Sequence, residues 1–351
     1  MLELIPRIAK YNLFREFGLA KPLPTNITVT VTDICNFMCK TCNIGKLYTE
    51  HPEIAKNELS AEEYGRIFNN IGRVFWITMT GGEPFFRRDL ADIAAGIYKN
   101  SEPRFMTIPT NGYVPKKIAG DVERILSECE KMRLIVNLSL DGLGSEHDEI
   151  RGMKDSFERV LESYFALRDL KNDRLSIGVN TVISKFNIDK LGEIAAFVGS
   201  ELKPDSFIAE VAENRSNLYN EKDDIRSENY GKVLRALIRQ NNSPRTSTAA
   251  IIRLARGVFY RALISGKPHR CFAGFASACI MPKGDVWLSC VKRSSIGNLR
   301  DVNYDFRSLW FSEKAGIMRN ELKKPCSCML ANAHYTNLLC NPAKLLTVVK
   351  Q

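Results

Sequence analysis

Between Asn26 and about Ala209 the chain repeats one hydrophobic rhythm: a short β-branched run, then a longer stretch with apolar residues at helical spacing. The strand-like runs are NITVTVTDI (26–34), VFWITMT (74–80), RFMTIP (104–109), RLIVNLSL (133–140), RLSIGVNTVI (174–183) and SFIAEVA (206–212). Alternation with period two, or a continuous run of Val, Ile and Thr, marks a strand with at least one face in a core. Helix-start signals lie between them: Ser60 with Glu63 spells a capping box, and Asp155 stands before the amphipathic SFERVLESYFALRDL. Parallel neighbours need helical crossovers, so six such units predict an α/β fold with a parallel sheet, and six rather than eight predicts a partial (β/α)6 barrel.

The pattern changes outside that block. Residues 2–19 carry apolar positions at helix-like intervals with Arg7, Lys10 and Arg15 among them. Such a helix either packs over the barrel or lies on an anionic membrane surface. Residues 221–266 read as charged and helical, and ACIMPKGDVWLSC (278–290) reads as a hairpin around a Pro-Lys-Gly-Asp turn. The expected organisation is an amphipathic segment (1–25), the barrel (26–220), a helical bridge (221–268) and a small cysteine-rich domain (269–351).

Composition narrows the functional classes. A hydrophobic share of 44% and a charged share of 26% are ordinary for a globular protein. No run approaches the roughly 18 apolar residues of a membrane span, and no signal-peptide pattern opens the chain, so a cytoplasmic location is expected. The formal charge of +10 permits an anionic partner, but no basic stripe is interleaved with aromatics, and nucleic acid is not favoured. Disulfides seldom persist in a reducing compartment, so the clustering of the ten cysteines points to metal. Only Cys129, in a helical pattern, stands apart as a buried structural thiol.

In parallel α/β sheets, chemistry gathers where strands end and loops converge. The unusual residues of this chain sit there. Cys35, Cys39 and Cys42 follow the first run; Gly81, Gly82, Glu83 and Pro84 the second; Thr110, Asn111 and Gly112 the third. Ser139, Leu140, Asp141 and Gly142 close the fourth, Asn180 lies near the end of the fifth, and Glu210 and Glu213 lie at the end of the sixth. Singly, each reads as an ordinary turn; their order along successive strands does not. A structural zinc is normally closed by four ligands, whereas three cysteines in one loop can hold three irons of a [4Fe–4S] cube and leave the fourth open.

The CxxxCxxC spacing, followed by GGEP, TNG and SLDG, resembles the radical SAM enzymes over about residues 26–212. The resemblance implies a partial barrel whose open iron chelates S-adenosylmethionine. A one-electron cleavage to a 5′-deoxyadenosyl radical would then abstract hydrogen from substrate, with a flavodoxin or ferredoxin as electron donor. It implies that Glu83 and its neighbouring backbone in Gly81, Gly82 and Pro84 receive the amino group, and that Asn111, Ser139, Asn180 and Asp141 contact the carboxylate or ribose. Arg151 either balances the carboxylate charge or is structural. One departure is Thr41, where the residue before the third cysteine is commonly aromatic; a ring contact to adenine is not carried over.

A second group comprises Cys271, Cys279, Cys290, Cys326, Cys328 and Cys340. A cysteine before a hairpin and another after it is similar to the twitch and SPASM appendages of radical SAM enzymes. Six are too few for two clusters. One auxiliary [4Fe–4S] cluster is implied, on Cys271, Cys290, Cys326 and Cys328, with Cys340 able to replace either of the last two; a zinc site on the same thiols is the alternative. Cys279 reads as a core thiol. The 34 residues before Cys35 are too few for the fused peptide-recognition domain of some peptide-modifying relatives. A peptide side chain, a sugar or aminocyclitol, and a lipid-linked substrate all remain open. Glu210, Glu213 and Arg215 are candidate substrate contacts, and a non-catalytic iron-sulfur or zinc protein is the rival class.

Overall fold

The computed structural model describes residues 4–212, 270–288, 294–325, 336–337 and 339–341. Six parallel strands carry the fold: β1 (Asn26–Thr32), β2 (Trp76–Gly81), β3 (Phe105–Thr110), β4 (Arg133–Ser139), β5 (Leu175–Ile183) and β6 (Ser206–Val211). They alternate with helices: α1 (Leu4–Phe17) before the first strand, then α2 (Ile44–Glu50), α3 (Ala61–Ile71), α4 (Leu90–Ser101), α5 (Pro115–Glu128), α6 (Ser145–Arg151), α7 (Ser156–Asp169) and α8 (Leu191–Phe197). The six strands lie side by side in chain order. Strand-to-strand crossovers are right-handed, so without a reversal of order every helix falls on the same face of the sheet. That face is apolar: Ile27, Val29 and Val31 of β1 and Leu134, Val136 and Leu138 of β4 are buried in the main core. The alternate positions Thr28, Thr30, Trp76 and Asn180 point to the opposite, half-buried face.

All six expected strands are present, with modest shifts at their ends. The first stops at Thr32 instead of residue 34, because a register shift against β2 between Thr30 and Thr32 turns the chain out of the sheet. The capping box is formed as expected, with Ser60 Oγ accepting from Glu63 N at 3.2 Å and Ser60 N donating to Glu63 Oε2 at 2.8 Å. The start of α7 differs. Asp155 adopts a left-handed φ of 59° and makes no side-chain cap bond. Asp148 does that work instead: its Oδ1 accepts from Phe157 N and Ser156 Oγ, and its Oδ2 from Asp155 N. A carboxylate seven residues upstream reaches the helix end because α6 and α7 meet at a tight corner.

The hairpin is also present. β7 (Ser277–Ile280) lies parallel beside β1, and β8 (Asp285–Trp287) and β9 (Ser295–Asn298) continue antiparallel, giving a sheet of nine strands among the described residues. Two short helices, α9 (Phe306–Trp310) and α10 (Glu313–Leu322), follow. The bridge expected at 221–268 lies outside the described residues. α1 packs on this C-terminal part. Tyr11 and Phe14 are buried, Phe14 meets Phe275 edge-on, and the buried Arg15 donates to Cys271 O and Lys323 O, each at 2.8 Å. Leu13, Phe17 and, just beyond the helix, Leu19 stay exposed. Among the described residues no helix is long and apolar enough to cross a membrane.

Glu63 ties α3 to the C-terminal part. Its carboxylate accepts from Arg300 Nε at 2.7 Å, Arg300 Nη2 at 3.0 Å and Tyr304 OH at 2.8 Å. The Arg300 hydrogen bonds hold its pKa down at about 2, below the ordinary 4.5. A depressed carboxylate stabilises the fold above its unfolded pKa and loses that contribution as pH falls toward the folded value. Thermal melts of wild type and Glu63→Gln should therefore differ by a few degrees at neutral pH, and the gap should narrow from about pH 5 downward. A gap constant with pH would show that the carboxylate charge contributes nothing.

Candidate active site at the carboxyl ends of the strands

The loop that carries Cys35, Cys39 and Cys42 leaves β1 and is held on both sides. Gly82 N donates to Thr32 O at 2.9 Å and Glu83 N to Ile34 O at 2.7 Å, so the GGEP segment runs backbone to backbone with the cysteine loop. The glycines are required by that approach. Gly81 has φ 142°, and a Cβ there would lie 2.2 Å from Thr32 O; one at Gly82 would lie 2.0 Å from Ile34 O. On the far side Lys40 N donates to Ile150 O at 2.9 Å, which fastens the loop to α6. At its root, Glu58 Oε1 accepts from Thr32 Oγ1 and Asp33 N, while Arg87 donates to Val31 O and Leu59 O.

Glu83 is 1% exposed and fully bonded into the wall. Its Oε1 accepts from Thr110 Oγ1 at 2.8 Å and Phe85 N at 3.1 Å, and its Oε2 from Asn111 N at 2.7 Å. Burial nevertheless outweighs these donors and raises its pKa. The motifs after β2 and β3 are thus one unit. Asn111 extends it: Nδ2 donates to Asn36 Oδ1 at 2.9 Å, inside the cysteine loop, and Oδ1 accepts from Tyr113 N.

The motif after β4 forms a second unit. Asp141 is fully buried, with Oδ2 accepting from Arg151 Nη1 at 3.0 Å and Oδ1 from Val182 N at 2.7 Å. Asn187 Nδ2 holds Asp141 O at 2.8 Å, and Asp141 N donates to His147 Nδ1 at 3.1 Å. Burial drives the His147 pKa down to about 4, so its ring is neutral. Arg151 brings a cation to the thiols. Burial works against its charge, but Cys39 and Asp141 hold its pKa above the ordinary value. Its guanidinium lies 5.5 Å from the centre of the Phe37 ring, and its Nε is buried without a partner among the described residues.

Burial pushes the Cys35 thiol up to about 11, against a hydrogen bond from Phe37 N, and Cys39 up to about 12, against Arg151. Among the described residues the one trio whose ligand atoms lie close enough for a single ion is Asp148, Asp155 and Glu158, and those carboxylates belong to the α7 corner. Cys35, Cys39 and Cys42 are not such a group. Thiols set apart on one loop, beside a buried cation with a spare donor, suit separate irons of a cluster better than one zinc ion.

Ser139 and Asn180 are register partners on β4 and β5, and Asn180 Oδ1 is buried without a partner among the described residues. Glu210 pairs with Val182 at the end of β6, while Glu213 and Arg215 lie outside the described residues. Of the second cysteine group, Cys271, Cys279 and Cys340 are buried; Cys290, Cys326 and Cys328 lie outside the described residues. Ala273 N donates to Cys271 Sγ at 3.4 Å, and Asn12 Nδ2 of α1 donates to Cys340 O at 2.9 Å. Asn36, Phe37, Glu58, Arg87 and Asn187 were not singled out from the sequence. Asn36 and Phe37 fill variable positions of the cysteine motif, the other three stand in no motif, and the contacts that tie each to the site come from elsewhere in the chain.

Comparison with known proteins agrees with this geometry. The family model of the radical SAM superfamily matches residues 29–198. GTP 3′,8-cyclase of Edwardsiella ictaluri is 32% identical over 174 residues, which are 49% of this chain and 50% of that protein. GTP 3′,8-cyclase of Yersinia pestis is 29% identical over 182 residues, 49% of each. The chain therefore spans about half the length of the curated relatives it matches. Among solved structures, Streptococcus suis SuiB bound to S-adenosylmethionine superposes with a TM-score of 0.61 at 17% identity, covering 98% of this chain and 79% of that one. The structure of anSMEcpe with bound AdoMet gives 0.61 at 16% identity, covering 93% and 100%. These likenesses show the shared fold. With the strand order and the motifs at the strand ends in agreement with the match, residues 29–198 form a radical SAM domain.

Proposed function

We propose that Cys35, Cys39 and Cys42 hold a [4Fe–4S] cluster at which S-adenosylmethionine is cleaved. When bound, that pair supplies a one-electron reductive cleavage to methionine and a 5′-deoxyadenosyl radical, which takes a hydrogen atom from substrate. The observation that carries the reading is the thiol loop itself: three cysteines set apart, locked to the GGEP backbone, facing the buried Arg151.

The residues of the chain divide the work. Glu83 anchors the wall, and Gly81, Gly82 and Pro84 shape it for the amino group. Asn111, Ser139 and Asn180 offer amide and hydroxyl groups to the carboxylate and ribose. Asp141 orients Arg151, whose charge opposes that of the ligand carboxylate and the thiolates. Cys271, with its backbone N–H to sulfur bond, fits an auxiliary [4Fe–4S] cluster completed by Cys290, Cys326 and Cys328, or by Cys340 in place of one of the last two. That cluster would take an electron from substrate or bind it.

A flavodoxin or ferredoxin supplies the reducing electron, and a reducing, cytoplasmic setting suits a chain with so many clustered cysteines. The substrate is a peptide, a sugar or a lipid-linked molecule; the SuiB fold relative has been solved with precursor peptide SuiA, which supports the first. The test is anaerobic reconstitution with iron and sulfide, then dithionite and S-adenosylmethionine. Formation of 5′-deoxyadenosine is expected, and its absence would overturn the assignment.

A further inference from the structure

Low on the open face of the sheet, β4, β5 and β6 present three residues in one row: Asn137 beside Gly178 beside Ser206. Gly178 follows Ile177 and precedes Val179, both buried among the helices, so its missing side chain would project to the open face. A Cβ at that point would lie 2.1 Å from Asn137 Oδ1 and 2.6 Å from Ser206 Oγ. The amide of Asn137 and the hydroxyl of Ser206 therefore lean over the glycine from both sides. Only the absence of a side chain on the middle strand lets them.

Asn137 is 7% exposed, and among the described residues its Oδ1 has no hydrogen-bond partner. A buried amide oxygen without a donor is costly to keep, and a leucine of similar size would fill the position without that cost. One pleat higher, Asn180 Oδ1 is unpartnered too. Two orphan acceptors on one wall, with a serine hydroxyl level with the lower of them on the far side of Gly178, ask for a ligand that brings O–H or N–H donors. A hydrocarbon chain has nothing to give these oxygens, and an ionised carboxylate or phosphate has no hydrogen to donate to them.

Building on the function proposed above, we infer that the notch formed by Asn137, Gly178 and Ser206 binds a neutral, hydrogen-bond-donating group of the substrate, a hydroxyl or an amide N–H, rather than an isoprenoid or acyl chain. The notch lies on the face that the motif residues border, deeper than Ser139 and Asn180, so a ligand reaching it passes beneath the site proposed for S-adenosylmethionine. A polyol and a short peptide both carry the required donor, and the test separates them.

Thermal melts of the reconstituted enzyme with S-adenosylmethionine are run with myo-inositol, with the capped peptide acetyl-Gly-Ser-Gly-amide and with geraniol. Either polar probe should raise the melting temperature of wild type, and identify its own class as the source, while geraniol should not. The shift should vanish in Ser206→Ala and Asn137→Leu. Without any probe, Asn137→Leu should melt higher than wild type. A lower melting temperature for Asn137→Leu would make the amide structural and overturn the inference. So would a geraniol shift, no shift from either polar probe, or equal shifts in wild type and Ser206→Ala. Formation of 5′-deoxyadenosine by wild type is read in parallel: its failure counts against the family reaction, whereas its success beside a failed probe response counts against the notch alone.

Discussion

Replacing Cys39 by alanine is expected to reduce 5′-deoxyadenosine formation below detection while leaving the far-ultraviolet circular dichroism unchanged. A cluster held by three thiolates on one loop cannot lose one and retain the geometry that keeps a fourth iron open. The loop backbone would persist, because its fastening to GGEP, to Ile150 and to Glu58 uses main-chain groups. Iron analysis sharpens the result. Wild type should carry about eight irons per chain and the triple change of Cys35, Cys39 and Cys42 to alanine about four, if the C-terminal thiols hold a second cube. Equal 5′-deoxyadenosine from Cys39→Ala would remove the cluster assignment. A triple variant with one zinc and no iron would make the C-terminal site a structural zinc centre.

The second large effect concerns Asp141 and Arg151, which are expected to fail singly and to recover jointly in stability alone. Breaking a buried ion pair from one side leaves an uncompensated charge, at a cost of about 3–5 kcal/mol. Asp141→Ala should therefore lower the melting temperature by about 4–7 °C. It also strips the acceptor from Val182 N and the counter-charge from Arg151. The joint change Asp141→Leu with Arg151→Met replaces the pair by apolar groups and should regain much of the loss. It should still not form 5′-deoxyadenosine at the wild-type rate, because the cation beside the thiols is gone. Full activity in the joint variant would reduce the pair to a structural brace.

The two variants test different levels of the chain's logic. Cys39 belongs to a motif readable at sight, since its partners lie three and four residues away. Arg151 was visible only as an arginine in HDEIRGM, equally suited to solvent. Its partnership with Asp141, its contact with Phe37 and its nearness to Cys39 depend on α6 folding back over the cysteine loop. Glu83 shows the same division. Its place in GGEP marked it, but nothing local indicated that Thr110 and Asn111, on the next strand, would take both carboxylate oxygens.

Local rules settled the elements themselves. The period-two runs became β1 to β6 because alternation decides which residues face the helices, and Ser60 capped α3 because its partner is three residues away. Where the rule was local but the winner was not, the reading missed: Asp155 yielded its cap to Asp148, which a tight corner brings within reach. Near neighbours along the chain thus settled the succession of strands and helices, the motif order and the cysteine spacing, whereas the pairing of β7 with β1 was not legible. The tertiary structure alone decided which buried polar atoms are satisfied, where Arg151 places its charge, and that Gly178 opens a notch between Asn137 and Ser206. Those depend on distances between strands and loops far apart in the chain, and no spacing along the backbone records them.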